Sequence, residues 1–326
     1  MISEPAARTG SESAPRSGGW ATGALFVVSG AALFGTVGTA RLLGPAASAV
    51  SVSAVRLALS AAVLLLLAWP HGFAPLRVAA RLPAVWVAGI AQAAFNVTFF
   101  GAVTRSGVAL GTLVAIGLTP VLTGVIARRT TRSWAAVTGL ALVGLTALLS
   151  GGLDSGGGGA HVGGLLFALG ASASYAAFIS ASSALASAEV DIAPQLAVIF
   201  VIAALSLSPA LVLLDVGWVT NADGLTMVLY LAGAATVLAY NLFNRGLITV
   251  EPSTAATMAL VEPLVAALLG VVVLGERLSL VSWMGACLVL VALLLMARVA
   301  ASGQPDSGVT RVGHNQRRDR TRQGLP

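Results

Sequence analysis

Charge is what this chain has least of. Only 9% of its 326 residues are Asp, Glu, Lys or Arg, whereas a soluble globular protein carries about 25%. That scarcity overrides the two soluble domains that length alone would suggest. Lysine is absent: all 18 basic residues are Arg. Without Lys there is no Walker-type phosphate loop, so ATP drive within the chain is not expected. Cysteine occurs once, at Cys287 inside an apolar run, which excludes a disulfide framework and a thiolate metal site. The three histidines, His71, His161 and His314, sit in polar breaks or the tail. A membrane-embedded hydrolase would need such a base, or a second acid, at hydrocarbon depth.

Apolar length is what the chain has in abundance. It is 57% hydrophobic with a mean hydropathy of +0.93. Ten apolar stretches approach the roughly 20 residues a helix needs to cross a bilayer. They are 20–40, 46–69, 84–103, 106–127 and 133–150, then 162–184, 192–214, 224–246, 251–273 and 279–298. The expected fold class is an all-α integral membrane protein with ten transmembrane helices. Residues 1–19 carry Glu4, Arg8, Glu12 and Arg16 with no apolar core and read as a disordered cytoplasmic leader. Residues 151–161 are a Gly-rich linker, and 299–326 a basic cytoplasmic tail holding Arg317, Arg318, Arg320 and Arg322. The net charge of +6 does not indicate nucleic acid, because the arginines lie in loops and tails. The tail suits acidic lipid headgroups instead.

The second half echoes the first. Phe100 precedes Pro120 by the same interval as Phe243 precedes Pro263, and Ser133-Trp134 matches Ser282-Trp283. Each half, 20–150 and 162–298, holds five apolar stretches. Five is odd, so the second copy enters the membrane from the opposite side, an inverted repeat of the kind many secondary transporters use. Arg placement agrees. Arg128, Arg129 and Arg132 follow the fourth stretch, where the matching loop has Glu276-Arg277; Arg77 and Arg81 match a loop with Asp215 and Asp223. Both termini are then cytoplasmic, with Glu189 and Asp191 an acidic exception on that side.

Polar residues at hydrocarbon depth are the candidates for function. Arg56 lies mid-way in the second stretch, as a cation for an anionic substrate group or as a structural cation on backbone carbonyls. Glu262 precedes Pro263 in the ninth, able to hold a proton, bind an ammonium group or pair with Arg56, or else simply to pack. Pro120 and Pro263 each remove a backbone donor and bend their helices; Thr119 stands where Glu262 does in the second half. Gln92 and Asn96 share a helix face, and Tyr240, Asn241 and Asn244 cluster in the eighth stretch. Phe34, Gly35 and Tyr175 hold near-equivalent positions. Substrate contact and interhelical bonding both remain open for these.

The segment from Ala259-Leu-Val-Glu-Pro263 to Gly275-Glu-Arg277, followed by Trp283-Met-Gly285, resembles the end of the second repeat in EamA-type transporters of the drug/metabolite transporter superfamily. Phe34-Gly35, Arg56 and Leu118-Thr-Pro120 resemble the first repeat, although the family's usual Trp-Gly is Phe-Gly here. The resemblance covers about 20–298 and looks closest to the amino-acid and threonine/homoserine exporter branch. It implies a cell-membrane (inner or plasma) secondary transporter, not an enzyme, that exports small metabolites by alternating access. A proton gradient or substrate exchange would drive it. Its partners would be a small-molecule substrate, the lipid bilayer and protons, with no cofactor, metal or nucleic acid. A passive channel, and behind it a membrane-embedded enzyme, are the alternatives.

Overall fold

The computed structural model describes residues 19–128, 131–155, 162–188 and 190–302, without the side chains of 151–155 and 300–302. The expected leader up to residue 18, the linker at 156–161, the tail from 303, Arg129 and Glu189 lie outside the described residues. Every regular element described is helical. Nine helical stretches are long and apolar enough to cross a membrane. They are α1 (Gly19–Leu43), α2 (Ala49–His71), α3 (Pro83–Ala127), α4 (Arg132–Ser150), α5 (Val162–Leu185), α6 (Ile192–Leu213), α7 (Ala222–Gly246), α8 (Pro252–Leu274) and α9 (Leu280–Val299). A short amphipathic helix, Phe73–Arg81, links α2 to α3.

Helices are the natural answer to this composition, because a helix satisfies its own backbone where no water can. Large apolar side chains stand exposed along the spans, from Leu25 in α1 and Leu66 in α2 to Val272 in α8 and Leu294 in α9. Such a surface is an aggregation liability in water and an ordinary outer face in hydrocarbon. The protein is therefore a multi-pass membrane protein.

Two stretches expected as separate spans, 84–103 and 106–127, form the single 45-residue α3. A straight helix of that length would run about 68 Å, twice the hydrocarbon thickness. It is not straight. Gly107 is the one residue with non-helical dihedrals, φ 78° and ψ 163°, a region that favours glycine. A methyl placed on Gly111 would lie 3.1 Å from the Val103 nitrogen, whereas eight positions along a straight helix span about 12 Å. The chain has doubled back at Gly107, with no loop to mark the turn.

Two further breaks come just before the prolines. The helix is interrupted at Leu118, one residue before Thr119-Pro120, and at Ala259–Leu260 before Glu262-Pro263. At the second, Pro263 cannot donate to the Ala259 carbonyl; the Glu262 N–H takes that place at 2.9 Å. In α7 a π-helical turn runs over Gly233–Leu238, and the Thr236 hydroxyl donates to Leu231 O at 2.7 Å.

The two halves of the chain interlock rather than sit side by side. α3 lies along α5, α2 along α6, α4 along α9, and α1 against α7 and α8. Since lipid is as apolar as Leu, close packing and hydrogen bonds hold such pairs. At Gly30 a side chain would meet Ala239 O at 2.7 Å and the Phe243 nitrogen at 3.0 Å, so α1 and α7 touch backbone to backbone. Polar bonds between the halves include Thr138 to Thr257 at 3.1 Å, Tyr230 donating to Thr36 at 2.8 Å, and Ser51 donating to Asp215 O at 2.6 Å while accepting from Trp218 Nε1 at 2.9 Å.

Candidate functional site

The polar residues that the sequence scattered over five helices meet at one cavity of about 80 Å³. Arg56 reaches it from α2, Gln92 and Asn96 from α3, Tyr175 from α5, Tyr240 from α7 and Glu262 from α8. Phe34 of α1 and the aromatic set Phe95, Phe99 and Phe100 of α3 complete the wall, with Val37 and Ala235.

A hydrogen-bonded chain fixes one side. An Arg56 Nη donates to Asn96 Oδ1 at 2.8 Å. The Asn96 amide donates to Gln92 O at 2.8 Å, and the Tyr240 hydroxyl donates to Gln92 Oε1 at 3.0 Å. Tyr240 is also the hub of the ring packing, with Phe34, Phe200 and Phe178 centroids at 4.7, 5.0 and 5.2 Å. Such contacts lock its rotamer and aim its hydroxyl. The other side is less committed. Arg56 Nε and the Tyr175 hydroxyl are buried with no hydrogen-bond partner. Buried polar groups are rarely left so, and both residues are among those that line the chamber. Glu262 lines the same chamber, yet no ion pair within 4 Å joins it to Arg56 among the described residues. The guanidinium and the carboxyl share the space without closing on each other.

Four sequence candidates are not among the lining residues; one is Asn244, whose amide donates to Tyr240 O at 2.9 Å. Gly35 packs its backbone against Glu262 O and Val265. The Thr119 hydroxyl donates to Ala115 O at 2.8 Å and lies 3.4 Å from that of Ser172. The Asn241 amide donates to Val237 O at 2.8 Å. In the other direction, Phe95, Phe99 and Phe100 were missed. They follow Gln92 at helical spacing, so the period that paired Gln92 with Asn96 also points to them.

Ordinary small-ligand pockets measure about 300–1,000 Å³, and this chamber has room for only a few waters. Larger cavities lie elsewhere in the protein and share no lining residue with it. One of about 460 Å³ lies toward the Leu43 end, between Thr36–Gly44, the start of α7 and the end of α8. Another of about 560 Å³ lies near the opposite end, against Ser183–Ser187 and Leu247–Pro252. No group of three or more His, Cys, Asp or Glu that could hold a metal gathers among the described residues.

The comparisons with known proteins converge. The sequence model of a family described as "EamA-like transporter family" matches residues 162–298. The "Uncharacterized transporter YwfM" of Bacillus subtilis (strain 168) is 38% identical over 279 residues, 84% of this chain and 93% of that protein. The "Putative permease-like protein YdzE" of the same organism is 34% identical over 70 residues, 22% of this chain and 90% of its own length. A crystal structure described only as that of a protein superposes with a TM-score of 0.73 at 21% identity, over 87% of this chain and 99% of that one. At that identity the likeness speaks for the fold alone.

Proposed function

This chain belongs to the EamA-like transporter family, and on that premise we propose that it exports small zwitterionic metabolites, amino acids or close relatives, by alternating access. It is a membrane transporter of the drug/metabolite transporter superfamily; the cargo, the direction and the mechanism are our reading. The observation that carries it is the central chamber. A guanidinium and a carboxyl, one from each half of the chain, face a common space at hydrocarbon depth without forming an ion pair. Charges are placed there at a cost, and this pair fits the two ends of an α-amino acid: the carboxylate at Arg56, the ammonium at Glu262. Substrate exchange or a proton gradient supplies the drive.

The layout we propose is ten crossings in two inverted repeats, 20–150 and 162–298, in the cell membrane with both termini cytoplasmic. The reversal at Gly107 supports counting α3 twice. The helix breaks before Pro120 and Pro263, and the pairing of first-half helices with second-half helices, suit two related copies closing on one site. The Leu43 end is then external and the Ser183 end cytoplasmic.

Purified protein in lipid vesicles tests the function. Labelled neutral amino acids are expected to show saturable counterflow that Arg56→Gln and Glu262→Gln each reduce at least tenfold without loss of folded protein. Unsaturable flux without counterflow would make it a channel. Wild-type rates in Glu262→Gln would remove that carboxyl from the mechanism. For the layout, cysteines at positions 132 and 277 are expected to label from opposite faces; labelling from one face would refute the inverted repeat.

A further inference from the structure

We infer that the central chamber changes sides only when its contents carry no net charge, so that it moves a zwitterion alone or a monoanion together with one proton. This rests on the preceding reading that the chamber is the transport site, and goes on to name the cargo's charge class and its coupling.

The inventory of the walls leads there. Arg56 is a fixed cation, because a guanidinium does not release its proton in a protein. It is anchored to Asn96 and cannot swing out of the chamber without breaking that bond. Glu262 is the one acid among the lining residues. The other polar lining groups are neutral amides and phenols, Gln92, Asn96, Tyr175 and Tyr240, and the rest is apolar or aromatic. The charged groups acting on Glu262 from the elements packed around it reduce to Arg56. Arg41 of α1 acts on Arg56 in turn, but it is not a lining residue, and one Nη is held by Ala47 O at 3.0 Å. Walls of this kind, around a space of about 80 Å³, cannot solvate a surplus charge.

The permitted states follow by counting. With Glu262 ionised, the empty chamber is neutral and can return. A zwitterion keeps it neutral, its carboxylate set against the Arg56 guanidinium and its ammonium against Glu262. A monoanion leaves a surplus negative charge unless a Glu262 carboxylate oxygen accepts a proton from solution on loading and returns it on release. A cation leaves a surplus positive charge, and so does an empty chamber with Glu262 protonated. Zwitterions therefore move without protons, driven by their own gradient or by exchange. Monoanions move with one proton in the same direction, and cations are refused. Exchange of a zwitterion for a proton is disfavoured, because its return step carries the forbidden positive charge.

The test uses the full chain in vesicles with an entrapped pH dye and a capacitive-current readout, corrected with protein-free vesicles. The probes are two matched triplets: L-alanine, lactate and alanine methyl ester; L-phenylalanine, phenyllactate and phenylalanine methyl ester. The expected result is net amino-acid uptake down its gradient with neither pH change nor current, net hydroxy-acid uptake with about one proton per anion and no current, and no protein-dependent ester flux. Glu262→Gln, which fixes the empty chamber at one positive charge, should lose amino-acid flux at least tenfold, lose net hydroxy-acid uptake, and keep only a proton-free exchange of one hydroxy acid for another. Should that variant not fold, the wild-type proton-to-anion ratio decides alone. Current or proton movement with an amino acid, or carriage of the ester, overturns the inference. Proton-coupled hydroxy-acid flux without amino-acid flux sinks the amino-acid reading and upholds the charge rule. No flux of any class from monodisperse, folded protein overturns both.

Discussion

Gln92 of α3 and Tyr240 of α7 come from different halves of the chain and share one buried hydrogen bond of 3.0 Å. Tyr240→Phe deletes a single oxygen and leaves the ring among Phe34, Phe178 and Phe200, so packing is preserved. What changes is Gln92 Oε1, which loses the Tyr240 donor while nearly fully buried. Leaving a buried acceptor unsatisfied costs about 1–3 kcal/mol. Gln92→Leu strands the Tyr240 hydroxyl at a similar cost, and keeps the backbone carbonyl that Asn96 uses. The double variant removes both polar ends, so it should cost less than the sum of the singles. The saving is the coupling energy, about 1 kcal/mol for a neutral bond, with double-mutant cycles in a helical membrane protein averaging about 0.6. Unfolding of the four proteins in mixed micelles, followed by circular dichroism, measures it. Additivity within about 0.3–0.5 kcal/mol would mean that this bond does not tie the two halves together at the chamber, and the geometric account of the site would fail.

Arg56→Lys keeps the charge and loses the planar fork; counterflow should need at least tenfold more substrate, with the number of protons per cargo unchanged, and a changed ratio would refute the charge counting. In α4, a methyl on Gly139 meets nothing within 4 Å, while one on Gly144 lies 2.8 Å from the Val289 nitrogen of α9. Gly139→Ala should stabilise by about 0.5–1 kcal/mol and Gly144→Ala destabilise by about 1–3; equal effects in thermal unfolding would contradict the close α4–α9 crossing. Deleting Ala234 converts the π turn of α7 to regular helix and rotates Met227 and Tyr230 by about 100° relative to Tyr240. Counterflow should fall at least tenfold in a protein that still purifies folded, and an unchanged rate would show that the π turn is merely a local irregularity.

The spans were legible because hydrocarbon leaves a sequence few choices. Their length and apolarity are set by bilayer thickness, and α1 through α9 fall within a few residues of the expected stretches. The polar set at the centre was legible for the same reason: Arg56 and Glu262 stand out against Leu, Val and Ala, and only a cavity makes their burial tolerable. What could not be read was everything decided by one residue's backbone. A break between 103 and 106 was expected, but its seat was not: Gly107 looks like any of 37 glycines. The π turn at Gly233–Leu238 leaves no mark in a run of small residues. Asn241 was grouped with Tyr240 by adjacency, but neighbours on a helix point about 100° apart; its amide folds back on Val237.

Matching positions in the two halves explain why one chamber forms with a single charge of each sign. In the repeat we propose, Arg56 matches the apolar Val198–Phe200 region and Glu262 matches Thr119. The break before proline occurs in both halves, so the backbone device is shared and only its use differs. Thr119 spends its hydroxyl on Ala115 O in its own helix and asks nothing of a ligand. A carboxylate there would have no such outlet and would need a counter-charge, and Arg56 already faces Glu262. Charge symmetry between the halves would thus have required two cations and two acids in a space that holds a few waters. Keeping the bend in both copies and the ions in alternate ones gives the chamber one basic and one acidic lining residue, the arrangement from which we proposed a zwitterionic cargo.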